Sequence, residues 1–153
     1  MAGAGTPPSQ APSAAGYSRT TLVRKLGVKA HQCLLMHGAP KGWTVADLPE
    51  GVWVVTRADR ADVVVAFFGS AVELASEVEQ LGRAIVPDGS LWLAWPRRAG
   101  GRTSDITDNV VRQIALPLGL VDVKVAALDH DWSALKFVWR KELRPRRERQ
   151  ARS

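Results

Sequence analysis

Two segments of the sequence combine tryptophan with basic side chains, a combination that suits a planar or anionic ligand. Trp95-Pro96-Arg97-Arg98 follows a predicted strand, and Trp132 and Lys136 belong to a predicted hairpin. An aromatic face attracts cations, and an arginine fork pairs with carboxylate or phosphate. We therefore predict one ligand-binding concavity at a sheet edge, lined by Trp95, Arg97, Arg98, Trp132 and Lys136. The alternative is that both tryptophans pack against the end of the sheet while the arginines stay in solvent.

A loop with two glycines follows the first predicted strand and supplies a second candidate binding site. It reads His37-Gly38-Ala39-Pro40-Lys41-Gly42, and its candidate ligand-binding residues are Gly38, Lys41 and Gly42. Glycines there would let the backbone approach a nucleotide or S-adenosylmethionine beyond the carboxyl ends of the strands. The spacing is G-x-x-x-G, however, whereas a dinucleotide site has G-x-G-x-x-G, and Pro40 removes an N–H donor. These departures favour a tight turn, and the sequence indicates no particular cofactor.

The residues that could catalyse a reaction or bind a metal are poorly placed for either task. His31, His37 and His130 are scattered, and Cys33 lies within a predicted buried strand. The spacing of a zinc site is absent from this set. Asp129, His130, Asp131 and Ser133 are adjacent in one predicted turn, whereas the members of a catalytic triad converge from separate elements. We therefore predict no catalytic residue and no metal ligand, and whether the protein is an enzyme stays open.

Elements that would position these residues follow from the apolar pattern. Residues 62–68 form the clearest predicted strand, because Val63 to Phe68 is an unbroken apolar run. A strand that is apolar on both sides belongs inside a parallel sheet covered on both faces. The other predicted strands cover residues 32–36, 52–56, 90–95, 121–128 and 135–140, and the predicted helices cover residues 22–26, 71–85 and 107–118.

The two longer predicted helices carry more detailed expectations. In residues 71–85 the helical spacing places Val72, Ala75, Val78 and Leu81 or Gly82 on one apolar face. In residues 107–118 we expect Thr107 to be the N-cap and Gly119 the C-cap. Pro117 lies in the last turn of that helix and should distort its end.

Alternating strands and helices predict an α/β sheet. The last two strands are separated by a short turn and must pair antiparallel. The sequence therefore predicts a mostly parallel, Rossmann-like sheet with helices on both faces and an antiparallel hairpin at its C-terminal end. This arrangement is similar to that of Rossmann-like methyltransferases, a likeness of architecture that carries no function by itself.

Several motifs resemble those of a family of short bacterial proteins, a domain of unknown function. The resemblance covers about residues 17–140 and implies a Rossmann-like, methyltransferase-like core with no assigned chemistry. This chain has Thr21 where the family usually has proline, Ala134 where glycine is usual, and Arg97-Arg98 in place of a lysine pair. The motifs that carry the resemblance are Tyr17-Ser18-x-Thr20-x-Leu22-x-x-Lys25-Leu26-Gly27, Trp95-Pro96-Arg97-Arg98, Thr103-x-Asp105-Ile106-Thr107, Val110-Val111-Arg112, Gly119-Leu120-Val121-Asp122-x-Lys124-Val125 and Asp129-x-x-Trp132-Ser133-x-Leu135-Lys136-Phe137.

Charge and composition divide the chain into three parts. Residues 1–16 contain no charged side chain and are predicted to be a disordered leader. Residues 17–140 form the predicted α/β domain, and residues 141–153 form a basic, flexible tail. Residues 140–153 contain seven basic and two acidic side chains and so carry five of the six net positive charges of the chain. Such a tail can bind nucleic-acid phosphates, but it lacks aromatic side chains that would stack on bases.

Length and apolar content restrict the classes of function. The longest apolar run has six residues, whereas a bilayer crossing needs about 20, so we expect no membrane span. The single cysteine, Cys33, cannot form an internal disulfide and suits a reducing cytoplasm. We therefore predict a cytoplasmic, non-enzymatic or pseudo-enzymatic module that binds an anionic small molecule or a protein partner. A minimal S-adenosylmethionine-dependent methyltransferase and nucleic-acid binding through the basic tail are the alternatives.

Overall fold

The computed structural model describes residues 21–97 and 104–143. The predicted leader, Arg98 and most of the predicted basic tail lie outside these residues. The described helices are α1 (Leu22–Leu26), α2 (Ala71–Ala84) and α3 (Asp108–Ala115), with short 3-10 turns at Leu116–Leu118 and Lys141–Leu143. The strands are β1 (Cys33–His37), β2 (Trp53–Val55), β3 (Val63–Phe67), β4 (Ser90–Pro96), β5 (Leu120–Ala127) and β6 (Trp132–Trp139). The predicted order of strands and helices is confirmed.

The six strands form one mixed sheet in the order β2-β1-β3-β4-β6-β5. The first four of these pair in parallel, and β6 is antiparallel to both of its neighbours. The strand β5 therefore runs in the same direction as β1 to β4, and its carboxyl end lies at the same edge of the sheet. We call this edge, where the parallel strands end, the carboxyl edge.

The centre of the sheet is the strand β3, whose five side chains are all buried. Val64 and Ala66 belong to one apolar cluster, and Val63, Val65 and Phe67 belong to the other. A strand buried on both sides has no polar alternation, which is the pattern that the sequence shows here. The prediction that Val63 to Phe68 form a central parallel strand is confirmed for Val63–Phe67, and Phe68 is buried directly after the end of the strand.

The two faces of the sheet are covered in different ways. On one face, which we call the helix face, α2 and α3 pack against the sheet through Leu74, Val78 and Val111. On the opposite face, which we call the loop face, α1 and residues 39–52 provide the cover. Helices therefore lie against both faces, but the loop face has only the five residues of α1.

The apolar face predicted for α2 is wrong in part. Val72 is 78% exposed and Ala75 is exposed as well, whereas the buried side chains are Leu74, Val78 and Leu81, with Gly82 beside them. Positions 74, 78 and 81 follow the i, i+4, i+7 spacing and carry two leucines. A leucine removes more apolar area from water than the alanine or valine that we predicted, so the helix turns its leucines inward.

The C-terminal third of the domain agrees closely with the sequence pattern. The Thr107 hydroxyl accepts a hydrogen bond from the Val110 amide and so caps α3. The end of this helix tightens into a 3-10 turn that contains Pro117, and Gly119 follows in the left-handed region with a φ of 106°. The strand β6 begins at Trp132, three residues before the predicted start, because hydrogen bonds of the preceding turn extend the ladder. Within residues 21–97 and 104–143, no helix has the length and apolar character that a bilayer crossing requires.

Candidate functional site at the carboxyl edge

The chain order creates a crevice at the carboxyl ends of β1 and β3. From β1 the chain continues to β2 on one side, and it then crosses to β3 on the other side. In open α/β sheets, ligands bind at such a change of direction, outside the carboxyl ends of the strands. His37 ends β1, and the segment after β3 leads into α2, so both elements bring side chains to this crevice.

A cleft of about 280 Å³ opens on the helix face next to this crevice. Its apolar side consists of Leu35, Leu81 and Ala84. Its polar side chains come from three elements that are distant in sequence, namely β1, the end of β2 and α2. These polar side chains are His37, Thr56, Arg57, Glu77 and Gln80.

His37 and Glu77 form the closest polar pair in the cleft. The Nε2 atom of His37 lies 2.8 Å from Oε1 of Glu77, and the two side chains are 31% and 38% exposed. An ionised carboxylate can only accept, so Nε2 donates its proton in this hydrogen bond. The His37 ring also lies against Phe68, with 5.8 Å between the ring centroids. These contacts fix the imidazole at the end of β1, where it can meet a ligand.

Thr56, Arg57 and Gln80 are the polar side chains of the cleft that have no partner within the described part of the chain. Arg57 follows β2, is exposed and forms no ion pair with a described acidic side chain. Gln80 lies one helical turn after Glu77 on α2, which places both side chains on the same side of the helix. A guanidinium and an amide thus line one small cleft, and together they can bind a carboxylate or a phosphate.

The predicted loop site begins at His37, which lines the cleft, but the loop itself folds as a turn over the loop face. The Trp43 amide donates to the Pro40 carbonyl at 2.9 Å, and Gly42 lies between them with a φ of 80°. Gly38 has a φ of 68°, and a Cβ atom there would lie 2.9 Å from the Phe67 carbonyl oxygen. Both glycines therefore have conformational reasons to be glycine. Lys41 is exposed at the tip of this turn, and ligand binding by Gly38, Lys41 and Gly42 stays a prediction.

The described members of the predicted tryptophan concavity do not come together in one concavity. Pro96 is the register partner of Trp132, and Trp95 is the partner of Ser133. Trp95 and Trp132 are therefore neighbours at the carboxyl edge, but they are offset by one residue and point to opposite faces. Trp95 belongs to the cluster on the helix face and Trp132 to the cluster on the loop face, and they are 8% and 6% exposed.

Trp132 takes part instead in an aromatic cluster on the loop face. The ring of Phe67 contacts Trp43 on one side and Trp132 on the other, with edge-to-face geometry and centroid distances of 4.8 and 5.0 Å. We call Trp43, Phe67 and Trp132 the aromatic trio. Its tight packing leaves the Trp132 ring little surface for a ligand.

Asp129 connects the aromatic trio to the hairpin turn. Its Oδ2 atom accepts from Nε1 of Trp43 at 2.8 Å, and its Oδ1 atom accepts from the Asp131 and Trp132 amides at 2.8 and 2.9 Å. Arg97 joins the same turn through backbone carbonyls, since its amide donates to Asp131 and its Nη1 donates to Asp129. The contacts of Arg97 therefore hold the turn in place, while Arg98 lies outside the described residues.

Lys136 lies far from the carboxyl edge. Its register partner is Trp92, and its Nζ atom is 5.9 Å from the centroid of the Trp92 ring. Four residues of strand separate it from Trp132, a distance of about 13 Å. Burial lowers the pKa of Lys136, and the nearby charges of Lys124 and Lys29 lower it further.

Most of the residues that form the cleft are not evident from the sequence. His37 stands out only as one of three scattered histidines and as the first residue of the glycine loop, and Arg57 belongs to no motif. The available signal was positional, because His37 and Arg57 follow adjacent parallel strands and so meet at one edge. Glu77 gave no such signal, since an acidic residue on a helix most often faces solvent. Within the described residues, no three His, Cys, Asp or Glu side chains converge as a metal site requires.

The chain matches no protein-family model and no curated protein. Its resemblance to the family of short bacterial proteins therefore stays a prediction. The function is therefore inferred from the residues of the cleft and their geometry.

Proposed function

We propose that the protein is a cytoplasmic binding module for an anionic small molecule, which binds in the cleft between β1, β2 and α2. The observation that supports this proposal is Arg57, a guanidinium with no acidic partner among the described residues, in a cleft at the carboxyl edge. Gln80 offers a second donor. The apolar side formed by Leu35 and Leu81 suits a ligand with a small hydrocarbon part.

The size of the cleft indicates a small ligand. Its 280 Å³ lie just below the range of typical ligand sites, roughly 300–1,000 Å³. A carboxylate or phosphate ester of a few carbon atoms fits this volume, whereas a whole dinucleotide does not. The His37–Glu77 pair would orient such a ligand, because the negative charge of Glu77 repels the anionic end of the ligand and directs it towards Arg57.

A minimal S-adenosylmethionine-dependent methyltransferase is the second candidate. The strand order favours it, since the antiparallel β6 lies between β4 and β5 as it does in Rossmann-like methyltransferases. The residues at the end of β2 argue against it, because Arg57 stands near the place where a ribose-binding carboxylate is expected.

Calorimetry and thermal unfolding with a ligand panel test the proposal. The panel contains short carboxylates, phosphate esters, S-adenosylmethionine and S-adenosylhomocysteine. A ligand at 100 times its Kd should stabilise the fold by about 2.7 kcal/mol. We expect an anion to do so, and we expect Arg57→Ala to abolish its binding without lowering the melting temperature.

Arg60→Ala is the matched control, because it removes an arginine that is also exposed and lies three residues further along the chain. Arg60 lines a different cavity, beside Asp62 and Pro87, so this variant should bind the anion like the unmodified protein. Stabilisation by S-adenosylmethionine alone would replace the proposal with the methyltransferase. Equal anion binding by the Arg57→Ala variant would refute the assigned site.

A further inference from the structure

Four lysines gather on the loop face, around the end of α1 and the β5–β6 strand pair. Lys124 on β5 is the register partner of Lys136 on β6, so both side chains leave the sheet on the same face. Lys25 reaches β5 from α1, because its Nζ atom donates to the Ala127 carbonyl at 2.9 Å. Lys29 follows α1 and lies near enough to Lys136 to act on its charge. We call Lys25, Lys29, Lys124 and Lys136 the lysine surface.

The lysine surface has no acidic counterpart in the described chain. The ion pairs among the described residues involve His37, Arg83, Arg112 and Arg140, and none of them involves a lysine. The Lys136 ammonium instead lies over the Trp92 ring. It is also close to Gly27, because a side chain at that position would bring its Cβ atom within 3.6 Å of the Lys136 Nζ atom. The charges of this surface are thus left for a partner outside the described residues.

This arrangement has a cost in the folded protein. Like charges directly opposite each other on paired strands are destabilising, and Lys124 and Lys136 are such a pair. Burial lowers the pKa of Lys25 and that of Lys136, and the charge of Lys124 lowers both further. An anion placed between these ammonium groups would offset the repulsion.

We propose that the lysine surface binds the phosphate backbone of a nucleic-acid duplex. The positive charges are spread along β5, because Lys25 reaches Ala127, which lies three residues and about 10 Å of strand from Lys124. A chain of phosphates therefore suits this surface better than a single small anion. Trp92 is the aromatic residue beside the lysine surface, and it is fully buried, so it cannot stack on an exposed base. Contacts of this kind position a protein on the duplex without reading its sequence.

The test is fluorescence anisotropy of a labelled 20-base-pair DNA duplex of arbitrary sequence, titrated with the full chain at several salt concentrations. Non-specific binding has a Kd of roughly 10⁻⁴ to 10⁻⁶ M, and log K falls with log salt by about 0.9 per phosphate neutralised. The double variant Lys124→Gln, Lys136→Met should reduce the slope by about 1.8. At 0.1 M salt, that change corresponds to roughly a 60-fold weaker affinity.

The matched control is the double variant Arg60→Gln, Arg83→Gln, which removes the same number of charges. Both arginines are exposed. Arg60 lines the cavity beside Asp62 and Pro87, and Arg83 is on α2 against the opposite face of the sheet. We expect its salt slope to match that of the unmodified protein. The single variant Lys124→Gln changes an exposed residue and should give half of the full effect even if Lys136→Met fails to fold.

Three results would overturn the proposal. The first is no binding of the duplex by the full chain. The second is an unchanged salt slope for the lysine variants while deletion of residues 144–153 abolishes binding, which would assign the interaction to the basic tail. The third is binding to phosphatidylserine vesicles without binding to the duplex, which would assign the charges to a membrane surface.

Discussion

The helix face and the loop face of the sheet are covered by different means. On the helix face, α2 and α3 bury an almost wholly apolar interface through side chains such as Leu74, Val78 and Val111. On the loop face, the sheet is covered by one five-residue helix and by residues 39–52, a segment that contains neither a helix nor a strand. Specific polar contacts hold this cover in place, including the bonds from Trp43 to Asp129, from Lys25 to Ala127 and from Trp92 to Leu26.

This difference shows that a sheet face can be closed by large aromatic rings where helices are missing. An aromatic side chain buries about 150–250 Å², so the aromatic trio replaces much of the contact area that a helix would supply. The rings need partners for their N–H groups, and Asp129 and the Leu26 carbonyl accept from Trp43 and Trp92. The loop face is therefore the more easily broken by a single change of a polar or aromatic residue.

The largest expected effect is on the centre of the aromatic trio. Phe67→Ala should lower the free energy of unfolding by roughly 3–5 kcal/mol, because it removes a buried ring and leaves a cavity between two tryptophans. Leu74→Ala on the helix face should cost about 2–5 kcal/mol. Urea denaturation followed by circular dichroism measures both. Val72→Ala is the control, since Val72 is 78% exposed and should shift stability by no more than about 0.5 kcal/mol. If Phe67→Ala lowers the free energy of unfolding by less than Leu74→Ala does, the Phe67 ring is not the main support of the loop face.

A smaller effect is expected at Asp129. Asp129→Ala leaves the Trp43 indole and two backbone amides without their acceptor, which should cost roughly 2–3 kcal/mol. Hydrogen exchange of the Trp43 indole proton, measured by NMR, should become faster. Asp131→Ala removes the same charge from the same turn but none of these hydrogen bonds, and it should leave both quantities nearly unchanged. Equal losses for the two variants would show that charge, and not these bonds, stabilises the turn.

The smallest expected effect is a gain in the free energy of unfolding, whereas Phe67→Ala and Asp129→Ala are expected to lower it. Lys136→Met should stabilise the fold at pH 7 by about 1 kcal/mol, which raises the melting temperature by roughly 2–4 °C. Burial lowers the pKa of Lys136 in the folded state below its ordinary value of 10.5. Between the lowered pKa of the folded state and 10.5, the unfolded chain binds more protons than the folded chain. The cost of burying the Lys136 charge is therefore full at lower pH and decreases as the pH rises towards 10.5.

Melting curves from pH 7 to pH 10.5 measure this dependence. The gain of Lys136→Met over the unmodified protein should shrink as the pH rises. Lys41→Met replaces an exposed lysine and should give no gain at any pH. A destabilised Lys136→Met variant would mean that the contact of the ammonium with the Trp92 ring outweighs the burial of its charge.

Local signals predicted most of the fold. The apolar run of β3, the cap at Thr107 and the glycine at Gly119 each specify a conformation within a few residues, and all three are confirmed. The rotation of α2 was predicted wrongly because the sequence offers two apolar stripes, and only packing against the sheet selects the one with Leu74.

The predicted tryptophan concavity is not formed by its described members, and the sequence could not show this because β4 is apolar apart from its first residue. Side chains alternate between faces along a strand, and polar alternation normally shows which face is which. The strand β4 is buried at every position, so its sequence does not say that Trp95 points to the helix face. The register of β6 against β4, which sends Trp132 to the other face, is likewise a property of the folded sheet. The His37–Glu77 pair depends on contact between two elements 40 residues apart and was equally hidden.

The position of β6 has a consequence for synthesis. It is the last described strand along the chain, yet it lies inside the sheet, between β4 and β5. While the ribosome is still making residues 132–139, one side of β4 and all of β5 have no partner strand. The sheet is therefore completed by one late insertion. During that interval the nascent chain presents one open edge of β4 and an unpaired β5, and a chaperone or another nascent chain can pair with either.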